Sequence, residues 1–284
     1  MLNCIRMDLY RMFQMKSFFV IGFVLLIGIF FSTSMSVTDY NMMKEELENN
    51  PQAYEQEFLS EEELINIGMN VMLPTKIGET VTVYDQVYAN LNGKFITIFM
   101  VIFAVLFSSS DLSSGYIKNI GGQIENRGKL ILSKAVVLFG YTVLTMIFYF
   151  IMQIVAQGVY YKTLEMGQLK ELMMYIGTQT LLHYALLLIC MAITIIAQSK
   201  VFSMTTAVLF CMNIMVILYS TIDKIVAKFG VKDFNLVRYT VTGRMSLLTM
   251  TPSAKECGWA ILIAALFGLG VTVLSSQVFR KRDI

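Results

Sequence analysis

Residues 111–134, which read DLSSGYIKNIGGQIENRGKLILSK, are polar, basic and rich in glycine, and they separate two long apolar runs. The runs on either side, residues 95–109 and 130–155, are apolar enough to enter a lipid bilayer. The polar segment therefore joins two membrane helices on one side of the membrane. It contains four basic residues, which are Lys118, Arg127, Lys129 and Lys134. Because basic residues are retained on the cytoplasmic side, we expect this segment to be cytoplasmic.

The composition of the whole chain agrees with a membrane protein. Of its 284 residues, 56% are hydrophobic and only 15% are charged. A soluble domain needs more charge than this to cover its surface. The apolar runs are numerous, so the chain is expected to cross the membrane several times. We expect the chain to be located in the plasma membrane of a bacterium.

The chain begins with a predicted interfacial helix at residues 1–16. Apolar residues recur there at helical spacing, at Leu2, Ile5, Leu9, Met12 and Phe13. Basic residues lie between them, and a basic amphipathic helix rests in the lipid interface with its apolar face towards the acyl chains. The alternative is a signal peptide, but the many later spans favour an uncleaved anchor.

The predicted fold is an all-α membrane protein with six transmembrane helices. These are residues 17–35, 94–110, 130–157, 173–197, 201–221 and 258–279. Residues 111–129 and the tail 280–284, together with the N-terminus, are predicted to be cytoplasmic, because basic residues are densest in these short segments.

The remaining segments are predicted to lie outside. Residues 36–93 are rich in acids and form a small, mostly helical subdomain, within which residues 81–84 are a candidate short strand. An outer loop at residues 158–172 and a second outer segment at residues 222–257 complete the layout.

Catalytic motifs are missing from this sequence. The stretch GQIENRGKL at residues 122–130 resembles a phosphate-binding loop, but it has five residues between its glycines and Leu130 in place of the hydroxyl residue. The one histidine, His183, excludes a zinc site of the H-E-x-x-H type. We therefore predict that the chain is not an enzyme by itself, binds no metal or cofactor, and binds no nucleic acid.

Among the polar residues of the predicted spans, four are the candidates of interest: Gln153, Gln179, His183 and Asn213. Ionisable and polar groups at membrane depth often line a pathway, so these are candidate pathway-lining residues. The alternative is that they hold neighbouring helices together by hydrogen bonds, which we favour for His183 in its neutral form and likewise for Gln153 and Asn213. No acid lies deep in an apolar run, which disfavours an ion-driven carrier.

The opening segment resembles the loop between the second and third membrane helices of type-2 ABC exporter permeases. That loop has an acidic residue, a glycine, a short helix, an arginine and a small-residue–lysine pair. The matching residues here are Asp111, Gly115, Tyr116 to Gly121, Arg127 and Ser133–Lys134. The resemblance extends over the chain, because a basic amphipathic start, six apolar segments and a large outer loop after the first are all present.

This resemblance implies a function and partners. The chain would be the permease subunit of an ABC exporter, moving an amphipathic or hydrophobic peptide, lipid or drug outward, with a role in resistance to antimicrobial peptides as one form. Its partners would be a separate ATPase subunit, which holds ATP and Mg²⁺, a second permease chain and membrane lipid. The residues implied to couple to the ATPase are Asp111, Gly115, Tyr116, Lys118, Asn119, Arg127 and Lys134. The alternative function is a membrane-embedded sensor or assembly protein that binds a ligand without transporting it.

Overall fold

The computed structural model describes residues 1–49, 68–113, 128–231 and 234–281, and helices dominate these ranges. In chain order they are α1 Leu2–Gln14, α2 Lys16–Asn49, α3 Val83–Asn92, α4 Phe95–Ser113 and α5 Gly128–Tyr160. They continue with α6 Leu169–Ala197, α7 Lys200–Cys211, α8 Met215–Lys228, a 3-10 helix Leu236–Tyr239, α9 Val241–Leu247 and α10 Ala254–Arg280.

Four of these helices, α2, α5, α6 and α10, are long and apolar enough to cross a membrane. Two further pairs meet the same test only when joined, and each pair is bent at a short break. The bend is 51° between α3 and α4 and 75° between α7 and α8. The described chain thus has four candidate spans, or six if each bent pair is one span, and it is compatible with a multi-pass membrane protein.

The distribution of polarity supports a lipid environment. The exposed face of α2 is apolar and includes Phe19, Phe23 and Ile27, and α10 exposes Leu266 and Leu269. The polar side chains are inside instead. Fully buried amides, hydroxyls and charged groups include Gln86, Asn90, Lys94, Thr97, Gln153, Gln179 and His183. A protein in water shows the opposite arrangement, whereas polar groups join helices inside membrane bundles.

Helices α4 and α6 form the centre of the bundle. The side chains of α4 from Ile96 to Phe107 are mostly buried, and this helix contacts α2, α6 and α7. Helix α6 packs most extensively against α10. Small α10 residues allow this approach, because a Cβ added to Gly268 would lie 3.2 Å from the Leu188 side chain of α6.

The two ends of the bundle differ. One end, which we name the α1 end, contains α1 and the beginning of α5, where Asp8 accepts a hydrogen bond from Ser133. The other, the distal end, gathers residues 68–82, 161–168 and 234–253. Hydrogen bonds join these distal segments, such as Thr80 Oγ1 to Glu165 Oε2 at 2.7 Å and the Tyr84 hydroxyl to the Met250 carbonyl.

Several predicted boundaries change. Helix α2 continues to Asn49, well beyond the predicted end at residue 35. Residues 81–84 do not form a strand, so that prediction is wrong. Thr82 caps α3 instead, since its side chain accepts from the Asp85 amide and the Asp85 carboxylate accepts from the Thr82 amide. This capping box selects a helix over the strand that the alternating V-T-V-Y pattern indicated.

Candidate functional site at two helix breaks

The first break lies between α3 and α4, at Gly93 and Lys94. Lys94 has a φ of +58°, a left-handed conformation that costs free energy for any residue with a side chain. Gly93 has no such φ, but a Cβ there would lie 2.3 Å from the Asn70 carbonyl oxygen. Only glycine therefore lets residues 68–72 press against this break.

The second break lies between α7 and α8, at residues 212–214. Asn213 also has a left-handed backbone, with a φ of +55°. The Met212 carbonyl, which the end of α7 leaves without a helical partner, accepts a hydrogen bond of 2.8 Å from the Gly68 amide. The segment that begins at Gly68 thus contacts both breaks.

The two breaks meet through their side chains. The Lys94 ammonium donates a hydrogen bond to Asn213 Oδ1. The Ser246 hydroxyl, on α9, lies 3.4 Å from the same oxygen. Lys94 is 0% exposed and Asn213 is 7% exposed. A positively charged side chain is thereby held in the interior by a neutral amide, at the crossing of two discontinuous helices.

Charge balance is unusual at this crossing. Among the residues that the structure describes, no carboxylate forms an ion pair with Lys94. His183 and Cys211 are titratable groups close enough to interact with its ammonium. Buried charges are normally paired, because desolvation of an ion costs several kcal/mol or more. An ionisable group kept inside a membrane bundle in this way indicates a functional site.

His183 lies beside the first break and connects α4 with α6. Its Nδ1 is 2.7 Å from the Gln179 carbonyl oxygen, which only accepts, so Nδ1 carries the proton. In the neutral ring Nε2 then accepts from the Thr97 hydroxyl, 2.8 Å away. Both ring nitrogens are therefore satisfied. Of the two alternatives left open by the sequence, the geometry favours a neutral histidine that joins helices.

Gln179 connects the same region to the distal end. Its side-chain amide donates to the Met245 carbonyl of α9 at 2.9 Å and to the Tyr175 hydroxyl at 3.1 Å. Met245 and Ser246 are neighbours on α9, so this short helix contacts Gln179 on one side and Asn213 on the other. Segment 68–72 and α9 therefore both cover the crossing from the distal end.

Gln153 belongs to a separate network that joins α2, α3 and α5. The Ser32 hydroxyl donates to Asn90 Oδ1 at 2.6 Å, and Asn90 Nδ2 donates to Gln153 Oε1 at 3.1 Å. Gln153 Nε2 then donates to the Thr33 hydroxyl at 3.1 Å. This continuous chain of hydrogen bonds holds three helices together. The structure thus places Gln179, His183 and Asn213 around one break site and Gln153 in a different cluster.

Of the residues implied to couple to an ATPase, Lys134 alone has a described side chain. It is 3% exposed, and its ammonium lies 4.4 Å from the centre of the Phe107 ring, near the end of α4. The neighbouring Ser133 donates to the Asp8 carboxylate of α1 at 2.5 Å. Lys134 therefore contacts α4 in the interior and is not a surface residue. Gly115, Tyr116, Lys118, Asn119 and Arg127, and the side chain of Asp111, lie outside the described residues.

Lys94 at the first break and Asp8 at the α1 end were not identified from the sequence as site residues. Lys94 was placed at the edge of a span, although the run Asn92-Gly93-Lys94 between two apolar stretches is a signal for a break. Asp8 is 1% exposed. An acid one helical turn before the buried Met12 was the available signal, because residues four apart share a helix face.

Most of the chain matches the model of a known protein family. Residues 53–284 match the family described as "Protein of unknown function (DUF2705)". This match covers both helix breaks and the segments that pack over them. No curated protein matches the chain.

Proposed function

The chain belongs to the DUF2705 family, and we propose that it is the transmembrane permease subunit of an ABC exporter. It moves an amphipathic or hydrophobic cargo outward, with energy from ATP that a separate subunit hydrolyses. ATP and Mg²⁺ are held by that subunit, so this chain is not itself the enzyme. A second permease chain completes the translocation path, and resistance to a membrane-active peptide is one biological role for such a complex.

The observation that carries the proposal is the joint at the α1 end. Residues 114–127 connect α4 to α5, and the ends of these helices contact each other through Lys134 and Phe107. Asp8 attaches α1 to the same point through Ser133. A partner that pushes on the connection would therefore move α4, α5 and α1 together. This is the mechanical arrangement that a coupling segment requires.

The proposed topology follows from the same joint. Helix α1 lies in the cytoplasmic interface, since Leu2, Leu9 and Phe13 are exposed for contact with lipid. Each bent pair then counts as one span, which gives six. Both termini and a coupling helix at residues 116–121 are cytoplasmic, the subdomain within residues 36–93 is outside, and the membrane is the bacterial plasma membrane. The distal end becomes the outer end.

Charge reversal tests the coupling segment. We expect Lys118→Glu with Arg127→Glu, and separately Gly115→Pro, to leave membrane insertion intact while the ATPase no longer drives export. The matched control is Lys200→Glu, which reverses an exposed charge at the beginning of α7. The measurements are co-purification of an ABC ATPase expressed with the chain and ATP-dependent export from proteoliposomes. If the double reversal changes neither, residues 111–134 do not couple the chain to an ATPase and the proposal fails.

One observation favours the alternative of a membrane-embedded sensor. Segment 68–72 contacts both helix breaks and α9 contacts the second, so a ligand bound at the distal end has a direct route into the interior. A sensor would bind its ligand and change shape without any ATPase. Failure of every ABC ATPase of the host to co-purify, together with ligand binding by the isolated chain, would favour this function over export.

A further inference from the structure

We propose that the crossing of the two breaks is a binding site for a single oxyanion, a phosphate or a carboxylate, whose negative charge pairs with Lys94. The inference deepens the proposed function, because it assigns an anionic head group to the cargo. It rests on the chain binding a ligand but not on the identity of an ATPase partner. The same site would serve a sensor.

The first argument is the charge of Lys94. Its side chain is completely buried, and the described chain gives its ammonium the amide oxygen of Asn213 but no ion pair with a carboxylate. An amide dipole compensates an ammonium only in part, so the interior retains a net positive charge. A bound oxyanion would neutralise this charge inside a medium of low polarity, where the attraction is strong.

The second argument is the direction of the helices that begin at the breaks. Helix α4 begins at Phe95 immediately after Lys94, and α8 begins at Met215 two residues after Asn213. Their lengths are 19 and 14 residues, and each helix dipole directs partial positive charge towards its first turn. In α8 the Val216 and Ile217 amides donate to the Asn213 and Ile214 carbonyls, so this helix contributes less than α4 does. Ile214, the capping residue of α8, supplies no side-chain hydrogen bond. Two helix N-termini thus reinforce the field of the lysine.

The opposite, negative ends of the helices are partly neutralised. The Met212 carbonyl accepts from the Gly68 amide, and the Leu91 carbonyl at the end of α3 accepts from the Lys94 amide. A bound cation would meet the Lys94 ammonium and few free carbonyl groups. The potential at the crossing therefore favours anions and repels cations.

The third argument is access. Lys94 lies one layer beneath the distal surface, since Asn70 is exposed while its carbonyl oxygen presses on Gly93. A backbone hydrogen bond from Gly68 to Met212 holds segment 68–72 over the breaks. Movement of this segment would uncover Lys94 to a head group arriving from the distal end. The apolar side chains of Met69 and Met72, both exposed, lie in the same segment and suit an attached acyl chain.

Three amphiphiles with the same twelve-carbon chain and different head groups test the site. They are dodecyl phosphate, dodecanoate and dodecyltrimethylammonium, each titrated against the purified full-length chain in a non-ionic detergent without any ATPase. Binding is read from the concentration-dependent rise in the unfolding temperature. We expect both anions to stabilise the wild type and the cation not to do so. A stronger effect of the phosphate identifies a lipid-like head group, and a stronger effect of dodecanoate identifies a carboxylate.

Substitutions then locate the anion. Lys94→Met should weaken binding of the better anion about tenfold or more, the equivalent of losing about 1.4 kcal/mol, whereas Lys94→Arg should retain most of it. Lys162→Met is the matched control, because Lys162 also has a left-handed φ of +57° but is exposed. Asn213→Asp supplies an internal carboxylate to Lys94, so it should stabilise the empty protein and abolish anion binding.

The outcomes separate a binding site from a structural lysine. A wild type that gains no more stability from the two anions than from the cation overturns the proposal. So does unchanged anion affinity in Lys94→Met or in Asn213→Asp. If Lys94→Met does not fold, the wild type, Lys94→Arg and Asn213→Asp still decide the question. Because no ATPase is present, loss of the export function leaves this result unaffected.

Discussion

Among the side chains that the structure describes, two lysines are buried, one at each end of α4, and their surroundings differ. Lys134, at the α1 end, lies over the Phe107 ring beside Ser133, which donates to the Asp8 carboxylate. Lys94, at the other end, donates to the neutral side chain of Asn213. The first lysine shares its joint with an acid, as expected of a charge that fastens helices together. The second does not, as expected of a charge kept for a ligand.

The largest effect is expected at the α1 end, where Asp8 accepts a hydrogen bond from Ser133. Asp8→Ala removes the carboxylate that accepts from Ser133 and lies 3.9 Å from the Arg11 guanidinium, while Lys134 stays buried. Removing one partner of a buried charge cluster typically costs about 3–5 kcal/mol of unfolding free energy. We place Asp8→Ala near the lower value, because Arg11 is partly exposed. Thermal unfolding in detergent measures this loss.

Asp8→Asn is the control for that change. It preserves the shape of the side chain and an oxygen that accepts from Ser133, but it removes the negative charge. A similar loss in both variants assigns the effect to charge, whereas loss in the alanine variant alone assigns it to the hydrogen bond. Wild-type stability in Asp8→Ala would mean that this end is not a joint, and the comparison of the two lysines would lose its basis.

The next effect concerns segment 68–72, which packs over the break between α3 and α4. In Gly93→Ala the new methyl group would lie 2.3 Å from the Asn70 carbonyl, so segment 68–72 must move. Overpacking of this kind costs about 1–3 kcal/mol. Gly177→Ala is the matched control, since it lies inside α6 with no atom within 4 Å of the added Cβ. It should be neutral or stabilising, because alanine favours a helix more than glycine.

Gly93→Ala should also make the break easier to reach. Proteolysis within residues 68–82 or hydrogen exchange at the Gly68 amide reports this opening. Increased exchange in Gly93→Ala but not in Gly177→Ala is the expected result. Equal protection of the Gly68 amide in both variants would show that segment 68–72 does not depend on the close approach to Gly93.

The helical membrane architecture could be predicted from the sequence. The run Asn92-Gly93-Lys94 was a local signal for the first break, but the left-handed backbone at the two breaks could not be predicted. Long apolar runs indicate spans because each must bury its backbone within a helix in lipid. Lys94 and Asn213 disrupt such runs with a left-handed φ, which a lysine rarely adopts and which only the surrounding structure stabilises. Nothing local in the sequence requires Asn70 to press on Gly93. The first break was therefore predicted as the edge of the span 94–110, and the second as the middle of the span 201–221.

The residues of the candidate sites also divide into those that could be identified from the sequence and those that could not. His183, Gln179 and Asn213 were identified because polar residues stand out within apolar runs, and the structure brings them to one place. Asp8 and Lys94 were missed because both lie where charged residues are ordinary, in an amphipathic helix and next to a turn. Their burial depends on which neighbouring helices pack over them, and this is a property of the tertiary structure.

The central claim is that Lys94 and Lys134 have different roles. The most direct test replaces each of them by methionine and measures thermal unfolding of both variants in the same lipid nanodiscs without ligand. Methionine fills a similar volume without charge. Lys94→Met should raise the unfolding free energy by about 1 kcal/mol or more, because it removes a buried charge that forms no ion pair with a carboxylate in the described part of the chain. Lys134→Met should lower it by about 1 kcal/mol, through loss of the contact between the ammonium and the Phe107 ring. Destabilisation of similar size in both variants would contradict the account, since Lys94 would then be as structural as Lys134.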